Sequence, residues 1–166
     1  MSAFANDTQT WSEWPVVGKA RLSWFLFDVY DSQLLSPSGN YQTGMPSKTQ
    51  PLALALTYLR SISSQQLVEA TQEQWQKMGL DEQEYTPWLA ILPSVFPDVK
   101  KGDSLALVSD GQGCQFYQQS SRETSMRLSQ SIDKKEFCRA FLGIWLGANT
   151  QYPKLRNALI GVSDEQ

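Results

Sequence analysis

Gly102-Asp103-Ser104-Leu105 presents a serine in the setting of an acyl-transfer nucleophile, and the rest of the chain withholds the partner that serine needs. A serine hydroxyl becomes nucleophilic only when a neighbouring base takes its proton, and the 166 residues include no histidine. Ser-His-Asp and Cys-His systems are excluded on the same ground, as are imidazole metal sites. The tetrapeptide therefore reads as a turn feeding a strand. Cys114 and Cys138, 24 positions apart, are the only two cysteines, too few for a thiolate zinc cluster and too far apart for a CxxC pair. No metal and no other cofactor is implied. The two either pair in an oxidising compartment or stand as separate buried thiols.

Asp28 and Asp31 bracket Tyr30, but strict two-residue alternation puts Asp28 on the Tyr30 face and Asp31 on the other, which argues against a paired-carboxylate acid/base site. Arg60 breaks a local rule. In Pro51 to Arg60, PLALALTYLR, the set Leu52, Leu54, Leu56 and Tyr58 alternates with Ala53, Ala55 and Thr57. Arg60 follows on the leucine face, so its guanidinium starts toward the core and requires an anion, water or a carboxylate side chain. If the partner is a ligand carboxylate, Tyr30 and Tyr58 are additional donors.

An apolar fraction of 41% and an aromatic fraction of 11% belong to a globular chain long enough to build one core that can hold these residues. A net charge of -3 opposes binding to a phosphate backbone, so no nucleic-acid partner is expected. Lys134, Lys135, Arg139, Lys154 and Arg156 read as a solvated helix surface. No run of apolar residues is long enough to span a bilayer as a helix. Ala3-Phe4-Ala5 is read as the remnant of an export-signal cleavage site, which places the protein in the periplasm; if it is not a remnant, the cytoplasm is the alternative.

The segment from Val16 to Leu35 is dense in apolar residues on both alternating sets, as in a strand covered on both faces, and the polar stretch from Ser36 to Gln50 reads as a loop. Ser63 or Ser64 caps a helix through Leu67, Ala70, Trp75 and Met78 that ends at Gly79. Tyr85 to Val95 is a second helix, closed by Pro93 and Pro97. Ser104 to Ser109 and Cys114 to Gln119 form a hairpin around Asp110-Gly111-Gln112-Gly113. Asp133 is the expected N-cap of the last long helix, with Glu136 completing a capping box, and Phe137, Phe141, Ile144 and Trp145 form its core stripe. Tyr152-Pro153 leads into a short helix with Leu155, Leu159 and Ile160. Strands in the first part of each motif and helices after them give an α+β class.

The fragments FDVYDSQLL, TYLRSISSQQLVEA, KKGDSLALVSDGQGCQFY and AFLGIWLGANTQYPKLRNAL, in that order, make the chain resemble the bacterial branch of the chalcone isomerase-like family. The resemblance runs from about Val17 to Gly161. It implies an open-faced β-sandwich: a large antiparallel sheet with helices packed over one face and a cleft between them. Residues 1–15 then form an N-terminal tail, 16–162 the domain, and 163–166 a C-terminal tail. Plant isomerases of this family use a threonine on an early strand, a tyrosine and an asparagine on a middle segment, and a hydroxyl residue on the late helix. Here Tyr30 falls at the early threonine and Ile144 at the late hydroxyl, and the middle segment is too short to place the other two, so the resemblance implies no isomerase activity. Non-catalytic members bind fatty acids through an arginine, and Arg60 falls at that arginine. The leading expectation is a non-catalytic domain binding a small apolar carboxylate such as a fatty acid. Two alternatives stand beside it: a protein-interaction or envelope-assembly module with a vestigial cleft, its partner unknown, and an isomerase or lyase of another kind.

Overall fold

The computed structural model describes residues 11–24, 27–41 and 51–161, without the side chain of Trp24. The Ala3-Phe4-Ala5 reading, positions 25 and 26 of the Val16 to Leu35 segment, the 42–50 part of the loop and the 163–166 tail lie outside them. Six strands, β1 (Val16–Trp24), β2 (Phe27–Leu35), β3 (Leu52–Tyr58), β4 (Ser104–Ser109), β5 (Cys114–Gln119) and β6 (Arg127–Ile132), form one antiparallel sheet in sequence order.

The alternation in β3 decides which face is which. Leu52, Leu54, Leu56 and Tyr58, with Leu105 and Leu107 of β4, join the main core beneath the helices. Ala53 and Ala55, with Ala106 and Val108, point the other way into a smaller cluster covered by Trp11, against which Trp14, Tyr117 and Met126 pack. Small residues on that face let a thin layer cover the sheet, whereas leucines and aromatics on the first face fill the space under helices.

Val16 to Leu35 is two strands rather than one. β1 and β2 pair as a hairpin in which Trp24 lies opposite Phe27. No Gly, Asn, Asp or Pro marks the break between them. Leu22 pairs with Tyr30 and Ser23 with Asp28, leaving Val29 as an extra residue in β2. This bulge resets the alternation. Val29 and Tyr30 are both buried on the core side, while Asp28 and Asp31 both reach Arg21, whose Nε donates to Asp31 Oδ1 at 2.7 Å and whose Nη1 donates to Asp28 Oδ2 at 3.2 Å. The expectation that Asp28 shares a face with Tyr30 is thereby corrected.

Between β3 and β4 the chain forms α1 (Ser64–Lys77), α2 (Glu82–Tyr85), a 3-10 turn (Thr86–Ala90) and α3 (Leu92–Val95). The α1 N-terminus is a complete capping box: Ser63 Oγ accepts from the Gln66 amide and Gln66 Oε1 accepts from the Ser63 amide. The expected single helix from Tyr85 to Val95 is broken, because Pro87 and Pro93 lack an amide hydrogen and each opens a new short segment instead of continuing or closing one. After β6, a strand for which the polar sequence gave no signal, come α4 (Lys135–Leu146) and α5 (Pro153–Ile160).

The N-cap of α4 is Lys134, with no side-chain cap hydrogen bond, and not Asp133. Pairing with Cys114 keeps the backbone extended through Ile132, so Asp133 belongs to the connection. Cys114 of β5 and Cys138 of α4 form a disulfide that pins the helix to the sheet. Trp75 of α1 is fully buried and donates its indole N–H to Ala140 O of α4 at 3.0 Å, locking the two long helices together. No helix among the described residues is long and apolar enough to cross a membrane.

Candidate ligand-binding site

The sheet and the helices do not close completely on each other. A cavity of about 290 Å³ remains between them, with a wall from Leu22, Val29, Tyr30 and Tyr58 on the sheet side. α1 supplies the opposite wall through Gln66, Ala70 and Gln74, spaced i, i+4, i+8, together with Leu67 and Thr71. At 1.5 Å rise per residue the line from Gln66 to Gln74 extends about 12 Å, which sets the length of the space along the helix. Ile144 and Trp145 of α4 and Tyr152 close its far side.

Tyr30 and Tyr58 are directly paired across β2 and β3, with ring centroids 5.8 Å apart in an edge arrangement. The Tyr30 hydroxyl accepts a 2.7 Å hydrogen bond from Trp145 Nε1 and keeps its own hydrogen to donate. Burial pushes both phenols well above their ordinary range, because an ionised oxygen would lose its hydration there. Both are neutral donors throughout physiological pH. Near α1's middle, Thr71 spends its hydroxyl on Leu67 O, and Gln74 Nε2 donates to Tyr152 Oη at 3.2 Å. Gln74 Oε1 is buried with no hydrogen-bond partner among the described residues.

Arg60 is where the structure departs from the alternation argument. β3 ends at Tyr58, the chain turns, and Arg60 is exposed rather than directed into the core. It still lines the cavity, and its guanidinium carbon lies 4.4 Å from the ring centroid of Phe27, itself 57% exposed. No carboxylate pairs with Arg60 among the described residues. Arg60, Tyr30 and Tyr58, named from the sequence, therefore surround one space. Gln74 and Trp145 surround it too, although the sequence reading assigns neither to it: Trp145 reads only as core, and the one signal for the α1 wall that the sequence holds, the Gln66-Ala70-Gln74 spacing, is not part of that reading. Ile144 contributes an apolar side chain where a hydroxyl had been sought. Ser104 lies elsewhere, on the Thr57 face of the sheet, with the two hydroxyl oxygens 3.1 Å apart. Asp103 accepts from the Lys100 and Ser121 amides and shapes the turn before it.

Residues 17–161 match the sequence profile described as chalcone isomerase-like. The chain belongs to the chalcone isomerase-like family. Over 150 residues it is 27% identical to an uncharacterised protein of Haemophilus influenzae, covering 90% of this chain and 69% of that one. This chalcone isomerase-like chain also superposes on the crystal structure of an Arabidopsis thaliana fatty-acid binding protein, AtFAP1, with a TM-score of 0.66 at 12% identity, covering 88% and 86% of the two chains. At that identity the likeness establishes the fold: the α+β open-faced sandwich of the family, with six antiparallel strands and the long helices over one face.

Proposed function

We propose that this protein is a non-catalytic chalcone isomerase-like domain that holds a small apolar carboxylate, such as a fatty acid, in the cavity between sheet and helices. The observation that carries this reading is Arg60, a guanidinium at the open edge of an apolar-walled cavity with no acidic partner among the described residues. Its planar fork suits a carboxylate, and Tyr30 and Tyr58 supply neutral hydroxyls on the adjacent wall. The volume sits at the low end of the roughly 300–1,000 Å³ typical of small-molecule sites, which favours a ligand of moderate length. A fatty-acid binding protein with the same fold supports the ligand class. The Cys114–Cys138 disulfide supports the further proposal that the protein works in an oxidising compartment, the periplasm.

Calorimetric titration of decanoate into wild type, Arg60→Gln and Arg60→Lys tests the reading. Loss of a charge-assisted hydrogen bond of about 1.5–3 kcal/mol corresponds to a roughly 10- to 150-fold weaker Kd for Arg60→Gln. Arg60→Lys should fall between, since it keeps charge and loses the fork. Methyl decanoate should bind wild type no better than it binds Arg60→Gln. Equal affinities for decanoate across the three proteins, or binding in none, would remove the proposal. Because Ile144, which the resemblance puts at the late-helix hydroxyl, cannot donate a hydrogen bond, a chalcone should cyclise no faster with the protein than without it.

A further inference from the structure

Two of the three polar side chains that α1 brings to the cavity wall spend their acceptor or hydroxyl within the protein. Gln66 gives its carbonyl to the Ser63 amide in the capping box, and the Thr71 hydroxyl donates to Leu67 O. Gln74 is different. It is only 8% exposed, its Nε2 donates to the hydroxyl of Tyr152, another residue of the lining, and its Oε1 is buried with no partner among the described residues. The bond to Tyr152 holds the amide at the wall, so the unmatched acceptor belongs to the cavity. Tyr30 and Tyr58 have hydroxyls on the sheet side, yet neither donates to it. A buried carbonyl oxygen without a donor is uncommon, because its lost hydration is not replaced. We infer that the ligand supplies that donor: it is an acyl chain bearing a hydroxyl far from its carboxylate, and Gln74 receives the hydroxyl.

The inference rests on the binding reading, in which Arg60 takes the carboxylate, and the position of each group along α1 says where the hydroxyl must be. Arg60 precedes the Ser63 N-cap, whereas Gln74 lies in the last turn of a helix that ends at Lys77. From Gln66 in the first turn to Gln74 the helix advances about 12 Å. Leu67 and Ala70 lie between them on the same wall, and Val29 and Ile144 add apolar surface from the other sides. A carboxylate holder at one end, an apolar middle and an unmatched acceptor at the other describe a terminal hydroxy acid better than an acid hydroxylated beside its carboxylate. A hydroxyl also suits the place better than an ammonium or a ketone. It is neutral, so its burial requires no counter-charge, and it both donates and accepts. Were the Gln74 amide turned over, Tyr152 would face the carbonyl and an N–H would be left at the same spot, which a hydroxyl oxygen also satisfies.

Calorimetric titration of decanoate, 2-hydroxydecanoate and 10-hydroxydecanoate into the full chain, as wild type, Gln74→Leu and Gln74→Met, tests this. Wild type should bind 10-hydroxydecanoate about fivefold more tightly than decanoate, the size of one neutral hydrogen bond net of hydration. The 2-hydroxy acid, whose hydroxyl sits at the Arg60 end, should gain nothing over decanoate. Both variants should hold decanoate as well as wild type does or better, since the orphaned oxygen is gone, and should lose the preference for 10-hydroxydecanoate. A packing or folding defect would instead weaken all three acids together, and that result in both variants would overturn the inference. It is also overturned if wild type shows no preference for 10-hydroxydecanoate over decanoate, if 2-hydroxydecanoate gains as much, or if the preference survives in either variant. The two readings fail in different ways. Decanoate binding without a hydroxyl preference sinks the hydroxyl assignment and leaves the carboxylate reading standing, whereas binding of none of the three acids sinks both.

Discussion

Trp145 connects the packing of the last long helix to the chemistry of the cavity. Its ring continues the stack from Phe137 through Phe141, at centroid distances of 5.9 and 5.3 Å, as residues four apart on one helix face must. Its indole N–H then fixes the Tyr30 hydroxyl. Trp145→Ala should cost about 3–5 kcal/mol through the void it leaves. Trp145→Phe should cost less, about 1–3 kcal/mol, because much of the volume stays and a buried hydrogen bond is lost; urea denaturation of the two variants would show the order. The buried stripe was legible from spacing alone. The hydrogen bond was not, since Tyr30 and Trp145 are 115 positions apart and a bulge decides where Tyr30 points. Arg60 shows the same limit from the other side. Alternation aims it at the core and fails there, because a period holds only as far as the strand does and β3 stops at Tyr58.

Elements were readable wherever local chemistry agrees with the pairing around it. β3 and α1 are such places, one from its alternation and the other from its capping box. They were misread where long-range pairing overrules local preference: at the hairpin with no turn residue, at Asp133, and in β6, whose polar residues are ordered by pairing with β5. The junction of α5 with β1 belongs to this second class. A side-chain carbon placed on Gly18 would stand 2.1 Å from Ala158 O and 2.5 Å from Leu159 O. Both are backbone atoms, so the helix itself would have to move. Gly18 is needed for this approach of helix end to strand, not for any turn. Gly18→Ala should destabilise by at least the roughly 1–3 kcal/mol typical of overpacking. An unchanged thermal midpoint would mean that α5 packs against β1 less closely than this.

For the molecule as a whole, stability rests on holding the helical layer against one face of an open sheet, and two features make that dependence measurable. The first is the disulfide. It closes 24 positions between β5 and α4, and a loop of that length constrains the unfolded chain by about 3 kcal/mol, so reduction should lower the unfolding free energy from urea denaturation by about that amount. The second is the pair of phenols facing the cavity. Tyr30 and Tyr58 hold their protons more tightly in the folded state than in the unfolded chain, because burial opposes the charged form. The unfolded chain therefore releases them first as pH rises. Their contribution is complete below the ordinary tyrosine value near pH 10 and declines above it, by about 1 kcal/mol per pH unit for each group. The Tyr58 hydroxyl makes no hydrogen bond among the described residues, so Tyr58→Phe removes one titrating group while leaving the ring in place. Urea midpoints at pH 8, 10 and 11 should fall less steeply for Tyr58→Phe than for wild type above pH 10, with the two proteins similar at pH 8. Parallel slopes would show that the Tyr58 phenol ionises in the folded protein as freely as in the unfolded chain, and that the cavity is wetter than its walls imply.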